Sequence, residues 1–406
     1  MRILFCVNAA PLPPMDGFRL VVDALVREFR QRHEVRVLAF AIPGQDPSSA
    51  PGHLRLVPYR PSGVLSRAGL LLRAAARGRP LRADVDAAGL RPALHEELAR
   101  FQPDVVHVSS GRLAALGHDL DGYPRVLAAL DAHHVNIQAK VRVASGLRRL
   151  LLSGEARNVR RFEATAYRLF DQVTTVTAAD RDALLALDPS LKITVIPNGV
   201  DADHFAPIFE GEREEARLVF TGIMRYAPNI TAAKFLTREI LPRVRIRRPD
   251  ARLALVGRDP APAVRTLGEL DGVTVTGEVP DLRGWITSSR VYVCPMRDGT
   301  GIKNKLLEAM ACGVPCVATP LAVQGLSCED GRDLLVAEGG DALADAVVRV
   351  LDDDDLARRL GEAARAYAVG QHSWSAVAHA YERLYRSVQT PSSAGAADLQ
   401  DGWRPL

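Results

Sequence analysis

Strand-and-helix alternation runs through this chain twice, with a break between the two runs, and that pattern limits the possible folds more than any other feature. In the first run, residues 2–7, 34–40, 104–108, 125–130, 173–176 and 193–196 read as short buried strands. They are near-continuous apolar runs rich in β-branched residues, as parallel strands covered on both faces must be. Residues 18–32 read as a helix, with Val21, Leu25 and Phe29 four apart on one face. Pro197-Asn198-Gly199-Val200-Asp201 and the polar stretch 209–215 then interrupt the pattern. It restarts with strands at 217–221, 252–256, 273–276, 291–295 and 315–318, and helices at 231–247, 261–270, 282–289 and 303–311. Helices at 341–351, 354–369 and 374–388 close it. Beyond 389 the chain turns Ser/Ala/Gly-rich and aperiodic, and a frayed tail is expected.

The expected fold class is α/β, with two doubly wound Rossmann-like domains over residues 1–195 and 202–370 and a tail at 389–406. Ligands of such sheets bind beyond the carboxyl ends of the strands, where strand order reverses, so a cleft between facing domains is the expected site. A length of 406 residues suits two cores. The apolar share of 47% and net charge of +4 describe a globular chain, with no charge-based case for nucleic acid. No apolar run approaches the roughly 20 residues of a membrane span, and the first eight residues read as a strand rather than a leader. Five cysteines, an odd number, with Cys6 and Cys294 inside strand-like runs, point to reduced thiols and a cytoplasmic location. Cys312 and Cys316 lack the further Cys or His that zinc needs, and the acids at 352–355 read as a helix cap, so no metal is expected.

The chemistry concentrates in residues 297–315. A strand is followed by Gly299-Thr300-Gly301-Ile302-Lys303-Asn304, then a helix that Gly313 ends. Glycines let a backbone approach a ligand, and the helix start favours an anion, with Lys303 and Lys305 adding charge. Glu308 lies about 4.5 Å further along the axis than Lys305, at a depth that suits a carboxylate accepting two ribose hydroxyls. The plainer reading is a solvated helix with Lys305 and Glu308 as a surface pair.

Glu308-Ala309-Met310-Ala311-Cys312-Gly313-Val314-Pro315 resembles the signature of the family 4 retaining glycosyltransferases, which have the GT-B fold; the branch with a Gly-Ile-x-Asn-Lys-x-Leu-Glu-Ala-Met-Ala motif looks closest. Ile196-Pro197-Asn198-Gly199-Val200-Asp201, followed by Phe205 and Pro207, resembles that family's interdomain linker, and Gly325-Leu326 with Asp330-Gly331 through Leu335-Val336 resembles its later segments. The resemblance is specific over about residues 195–385 and weaker before them. It implies an N-terminal acceptor-binding domain, a C-terminal nucleotide-sugar domain, and a last helix, within 371–388, that crosses back to the first domain.

Two departures stand out. The family's first glutamate is replaced by Thr300, which puts donor-sugar recognition in doubt. The Arg-Lys pair that usually grips the diphosphate is missing from residues 221–229, which leaves Arg225, so Lys305 and Arg258 are the replacement cations the resemblance suggests. The resemblance also implies base contacts from residues 277–281, among them Gly277 and Val279, and donor contacts from Thr300, Gly301, Ile302, Asn304 and Glu308. Asp16-Gly17, after the first strand, stands where the family has a turn facing donor phosphate and acceptor, or is an ordinary turn. His133, with His134 beside it as an acceptor contact, follows the strand at 125–130 where the family has a His near the transferred sugar. Arg60, Arg67, Arg73, Arg77, Arg79 and Arg82, and also Arg142, Arg148, Arg149, Arg157, Arg160 and Arg161, read either as contacts to an anionic lipid or acceptor or as solvated faces.

The implied reaction transfers a sugar from a nucleoside-diphosphate sugar to a small-molecule, lipid or glycan acceptor with retention of configuration and without a metal or other cofactor. The implied location is cytoplasmic, with peripheral contact at the inner membrane face. A nucleotide-sugar epimerase of the same fold and a non-catalytic nucleotide-sugar binder are the alternatives. A dinucleotide-dependent oxidoreductase would want Gly-x-Gly-x-x-Gly after the first strand, which residues 8–17 lack.

Overall fold

The computed structural model describes residues 1–11, 17–42, 45–58, 80, 83–208, 214–299 and 301–389. They form two units. One comprises Met1–Pro197 and takes up the chain again from Ala378; the other is Asn198–Val377. The arginines at 60–82 and the tail from 390 lie outside the described residues.

The first unit is built on a parallel sheet of β1 (Arg2–Val7), β2 (Glu34–Phe40), β3 (Leu54–Val57), β4 (Val105–Ser109), β5 (Arg125–Leu130), β6 (Gln172–Thr175) and β7 (Ile193–Val195). Their order is β3-β2-β1-β4-β5-β6-β7, reversing between β1 and β4. Ile3, Leu4, Phe5, Cys6 and Val7 of β1 are wholly buried, as are Val105, Val106 and Val108 of β4. Each fully buried aliphatic or Phe side chain contributes roughly 1.5–3 kcal/mol relative to exposure. Strand β3 and the helices Ala83–Phe101, His133–Val143, Gly146–Ala166 and Ala178–Leu185 are additions to the sequence reading.

From Ala378 onward the last helix, Trp374–Gln389, belongs to this unit. Tyr385 and Tyr381 are buried in it. The Tyr385 hydroxyl lies 2.6 Å from Nδ1 of His107, the Tyr381 hydroxyl 3.1 Å from Oγ1 of Thr174, and Nε2 of His33 2.9 Å from Oε1 of Glu382. Burial pushes the His107 imidazole down to about 3, so its hydrogen bond to Tyr385 is between neutral groups.

The second unit holds β8 (Glu214–Thr221), β9 (Arg252–Val256), β10 (Val273–Val275), β11 (Ser289–Cys294), β12 (Cys316–Ala318) and β13 (Leu335–Val336), all parallel. The order is β10-β9-β8-β11-β12-β13, reversing between β8 and β11. The helix after β8 starts at Ala227, earlier than expected, because Pro228 falls in its first turn, where a missing N–H leaves nothing unsatisfied. The linker is tied down within this unit. The Val200 N–H donates to the His372 carbonyl at 2.6 Å, and the His372 ring donates through Nδ1 to the Asn198 carbonyl at 2.9 Å. Gly199 must be a glycine, since a Cβ there would lie 2.4 Å from the Trp374 ring.

The acids at 352–355 act as a cap and as ion pairs. Asp353 accepts from the Leu356 N–H at 2.8 Å, Asp352 pairs with Arg248 at 3.0 Å, and Asp354 pairs with Arg290. All five cysteines are free thiols, four of them buried. Among the described residues, no helix is long and apolar enough to cross a membrane.

Candidate functional site

The carboxyl ends of β8, β9 and β11 open onto a cavity of about 500 Å³ in the second unit, where the strand order reverses. Two glycines make it possible. A Cβ on Gly257 would lie 1.9 Å from the Gly222 carbonyl oxygen, so the loops after β8 and β9 can touch only without side chains there. A Cβ on Gly222 would lie 2.8 Å from Nζ of Lys305, so this glycine makes room for the ammonium.

The helix Asn304–Ala311 forms one wall, with Asn304, Lys305 and Glu308 lining the cavity. The loop before it is closed by Lys303, which is buried and donates to the carbonyls of Gly299 at 3.1 Å and Gly301 at 2.6 Å. Gly299 (φ +101°) and Gly301 (φ +72°) have the left-handed backbone this loop needs. Lys303 therefore holds the loop, and Lys305 is the helix's cation toward the cavity. Its ammonium donates to Oδ1 of Asn229 and lies 4.8 Å from the centre of the Phe220 ring. Asn229 is held in turn by its amide, which donates to the Ile223 carbonyl at 2.9 Å.

Burial sets the electrostatics. It pushes the Lys305 ammonium down to about 8 and the Glu308 carboxyl up to about 7, the latter shift opposed by Lys305. Two groups with shifted titration, one helical turn apart in one cavity, make up a pattern common at ligand sites. Oδ1 of Asn304 is buried without a hydrogen-bond partner among the described residues and is free to accept from a ligand.

The remaining expected donor contacts divide. Arg258 lines the cavity with an exposed side chain. Arg225 does not line it; it faces solvent and pairs with Asp259 at 3.5 Å. Val279 and Ile302 line it, whereas Gly277 stands behind, its carbonyl accepting from the Gly257 N–H at 3.2 Å. Gly301 serves the loop rather than the wall, and Asp281 caps the helix Leu282–Thr287. Thr300 lies outside the described residues. Glu278, within the expected 277–281 segment, lines the cavity, and sequence reasoning passed over Ile223, Tyr226, Asn229 and Met296, which also line it.

The first unit has its own cavity of about 610 Å³ at the ends of β1, β4 and β5, again where strand order reverses. His133 lines it with Asn8, Arg112, Asp131, Glu163 and Tyr167. Burial holds the His133 imidazole below its ordinary value, while burial and the charge of Asp180 raise Asp131. His134 corrects the sequence reading, for it does not line the cavity. It is buried, with Nδ1 2.6 Å from Oε2 of Glu163, so it positions that carboxylate rather than an acceptor. Gly17 opens the helix Gly17–Arg30, and its neighbour Phe18 is the residue on the cavity wall. Asp16 lies outside the described residues.

Residues 15–204 match the family model described as Glycosyltransferase Family 4, and residues 215–353 the model described as Glycosyl transferases group 1. A phosphatidyl-myo-inositol mannosyltransferase of Mycolicibacterium smegmatis is 35% identical over 204 residues, 48% of this chain and 51% of that protein. A GDP-mannose-dependent alpha-(1-6)-phosphatidylinositol monomannoside mannosyltransferase of Mycobacterium tuberculosis is 29% identical over 64% of this chain and 69% of that protein. In the first of these matches the chain spans about half the length of its curated relative. Among solved structures, a sucrose-phosphate synthase from Thermosynechococcus elongatus superposes with a TM-score of 0.65 at 19% identity, covering 97% of this chain and all of that one. WaaG, a glycosyltransferase involved in lipopolysaccharide biosynthesis, superposes with a TM-score of 0.60 at 16% identity, covering 96% and 100%. With two parallel α/β units and these neighbours, the fold is GT-B.

Proposed function

From the premise that the chain is a glycosyltransferase of the family 4 type, matched in both halves, we propose that it transfers a sugar from a nucleoside-diphosphate sugar to an acceptor with retention of anomeric configuration. The observation that carries this reading is the cavity beyond β8, β9 and β11, where Lys305 and Glu308 of one helix line the same wall.

The donor is held in that cavity. The Glu308 carboxylate accepts the two ribose hydroxyls, and Glu278 and Val279 meet the base. Lys305 and Arg258 meet the diphosphate. As the anomeric C–O bond breaks, negative charge builds on the departing diphosphate, and a cation and helix start already aimed at it need not reorganise. The acceptor hydroxyl forms the new C–O bond, and its proton passes to a diphosphate oxygen. In this account the charge is met by Lys305, Arg258 and the backbone, without a metal.

The acceptor falls to the first unit's cavity, with His133 on its wall beside the transferred sugar. The names of the mannosyltransferases similar to this chain support a lipid-linked or glycan acceptor and a donor of the GDP-mannose kind. The proposed location is the cytoplasm, at the inner membrane face.

The test is incubation of the full chain with GDP-mannose or UDP-glucose, followed by proton NMR of the products. Release of nucleoside diphosphate with the anomeric configuration kept is the expected result. A changed sugar still joined to its nucleotide would mean epimerisation, and donors that bind but stay intact with every acceptor offered would mean a binding protein.

A further inference from the structure

We propose that the tip of the hairpin formed by the helices His133–Val143 and Gly146–Ala166 docks on an anionic lipid surface. The two helices share a small core of Ile137, Ala156 and Val159, with Val141 partly buried against it. That core ends before the turn. There, Val143 is 88% exposed, Leu147 71%, Leu150 69% and Leu151 66%. Leu147, Leu150 and Leu151 fall at i, i+3 and i+4, so they share one face of the helix. Single exposed aliphatics are ordinary, but four at one turn make a patch that water does not favour.

The surrounding charge identifies the occupant. Lys140, Arg142, Arg148 and Arg149 are exposed among the aliphatics, and no Asp or Glu occurs from residue 132 to residue 154. Arg142, Arg148 and Arg149 make no ion pair among the described residues. A second copy of the chain would bring like charges together, and a nucleic acid would have no use for the leucines. An anionic bilayer uses both: the leucines enter the acyl boundary while the long basic side chains reach the headgroup phosphates. This inference does not depend on the transfer reaction.

The experiment is sedimentation of the full chain with vesicles of phosphatidylcholine, alone or mixed with phosphatidylglycerol. One variant combines Leu147→Ser, Leu150→Ser and Leu151→Ser; another combines Arg148→Glu and Arg149→Glu. All these positions are exposed, so folding should survive, and unchanged nucleoside-diphosphate affinity serves as the check. The wild type should bind the mixed vesicles on the order of tenfold more tightly than the neutral ones, and each variant should lose about tenfold or more. The idea is overturned if the wild type ignores the mixed vesicles or if both variants bind like the wild type. It is equally overturned if the leucine substitutions only abolish a dimer seen by light scattering.

Discussion

Lys305 donates its ammonium proton to the side-chain oxygen of Asn229, a partner 76 residues away in sequence, across the space that Gly222 leaves open. The contact joins the helix after β11 to the helix after β8 and sets the cation's position in the cavity. Gly222→Ala should therefore weaken ligand binding and also lower stability, because Gly222 holds φ at +156°, where a residue with a side chain is strained. Its Cβ would meet the far ends of two side chains, Nζ of Lys305 at 2.8 Å and Nδ2 of Asn229 at 2.7 Å, and these can move. Nucleoside-diphosphate affinity of the folded variant should fall about tenfold, or about 1.4 kcal/mol, and the melting temperature should fall as well. Calorimetric titration beside thermal melts checks this; unfolding without loss of affinity in the surviving fraction would contradict it.

Stability of the empty protein should respond to pH through the same cavity. Glu308 is raised from 4.5 to about 7, so the folded state holds that proton more tightly than the unfolded state. Its contribution is present below about pH 4.5 and is lost as pH rises through 7. Glu308→Gln should thus gain on the wild type between pH 5 and pH 8, by up to about 3 kcal/mol. Lys305 is lowered from 10.5 to about 8, so charging it costs stability below pH 8, and Lys305→Met should gain on the wild type as pH falls from 10 to 7. Denaturant melts across this range measure both differences. Flat differences would show that the two groups are solvated.

The adjacent histidines should separate cleanly. His133→Ala should lower turnover while stability and nucleotide affinity hold, because its ring lines a cavity. His134→Ala should lower stability by about 1–3 kcal/mol, since it strips a buried carboxylate of its 2.6 Å partner. Melts and steady-state rates of the two variants settle the order, and the reverse ranking would mean that the register is misread by one residue.

The cations should divide along the cavity wall. Lys305→Ala and Arg258→Ala should each reduce turnover at saturating donor by on the order of 10²–10³, as loss of one preorganised donor does. Arg225→Ala should stay near wild type, because its side chain faces solvent beside Asp259. If only Arg225→Ala is impaired, the diphosphate is held by the loop after β8.

Much of the fold was legible in sequence because buried parallel strands such as residues 2–7 write themselves as unbroken apolar runs. Strand β3 was not, since four residues at a sheet edge carry too short a pattern. The helices at 133–166 escaped because their arginines and exposed leucines blur the apolar stripe. On the cavity wall, the places of Lys305 and Glu308 were readable from the Gly-rich loop and the helix that follows it, and that of Arg258 from the family resemblance. Asn229 was not, because its role depends on a contact across the sheet. The choice between His133 and His134 likewise needed Glu163, a residue on the next helix, to claim one of the two rings.

The most direct test of the account is calorimetric titration of GDP and UDP into the wild type and Glu308→Ala. A carboxylate accepting two ribose hydroxyls has no substitute in a methyl group, and hydrogen bonds to a charged group are worth about 1.5–3 kcal/mol. The wild type should saturate with at least one of the two nucleotides, and the folded variant should bind it on the order of ten to a hundredfold more weakly. A folded Glu308→Ala that binds as tightly as the wild type would contradict the assignment of this cavity to the donor's nucleotide.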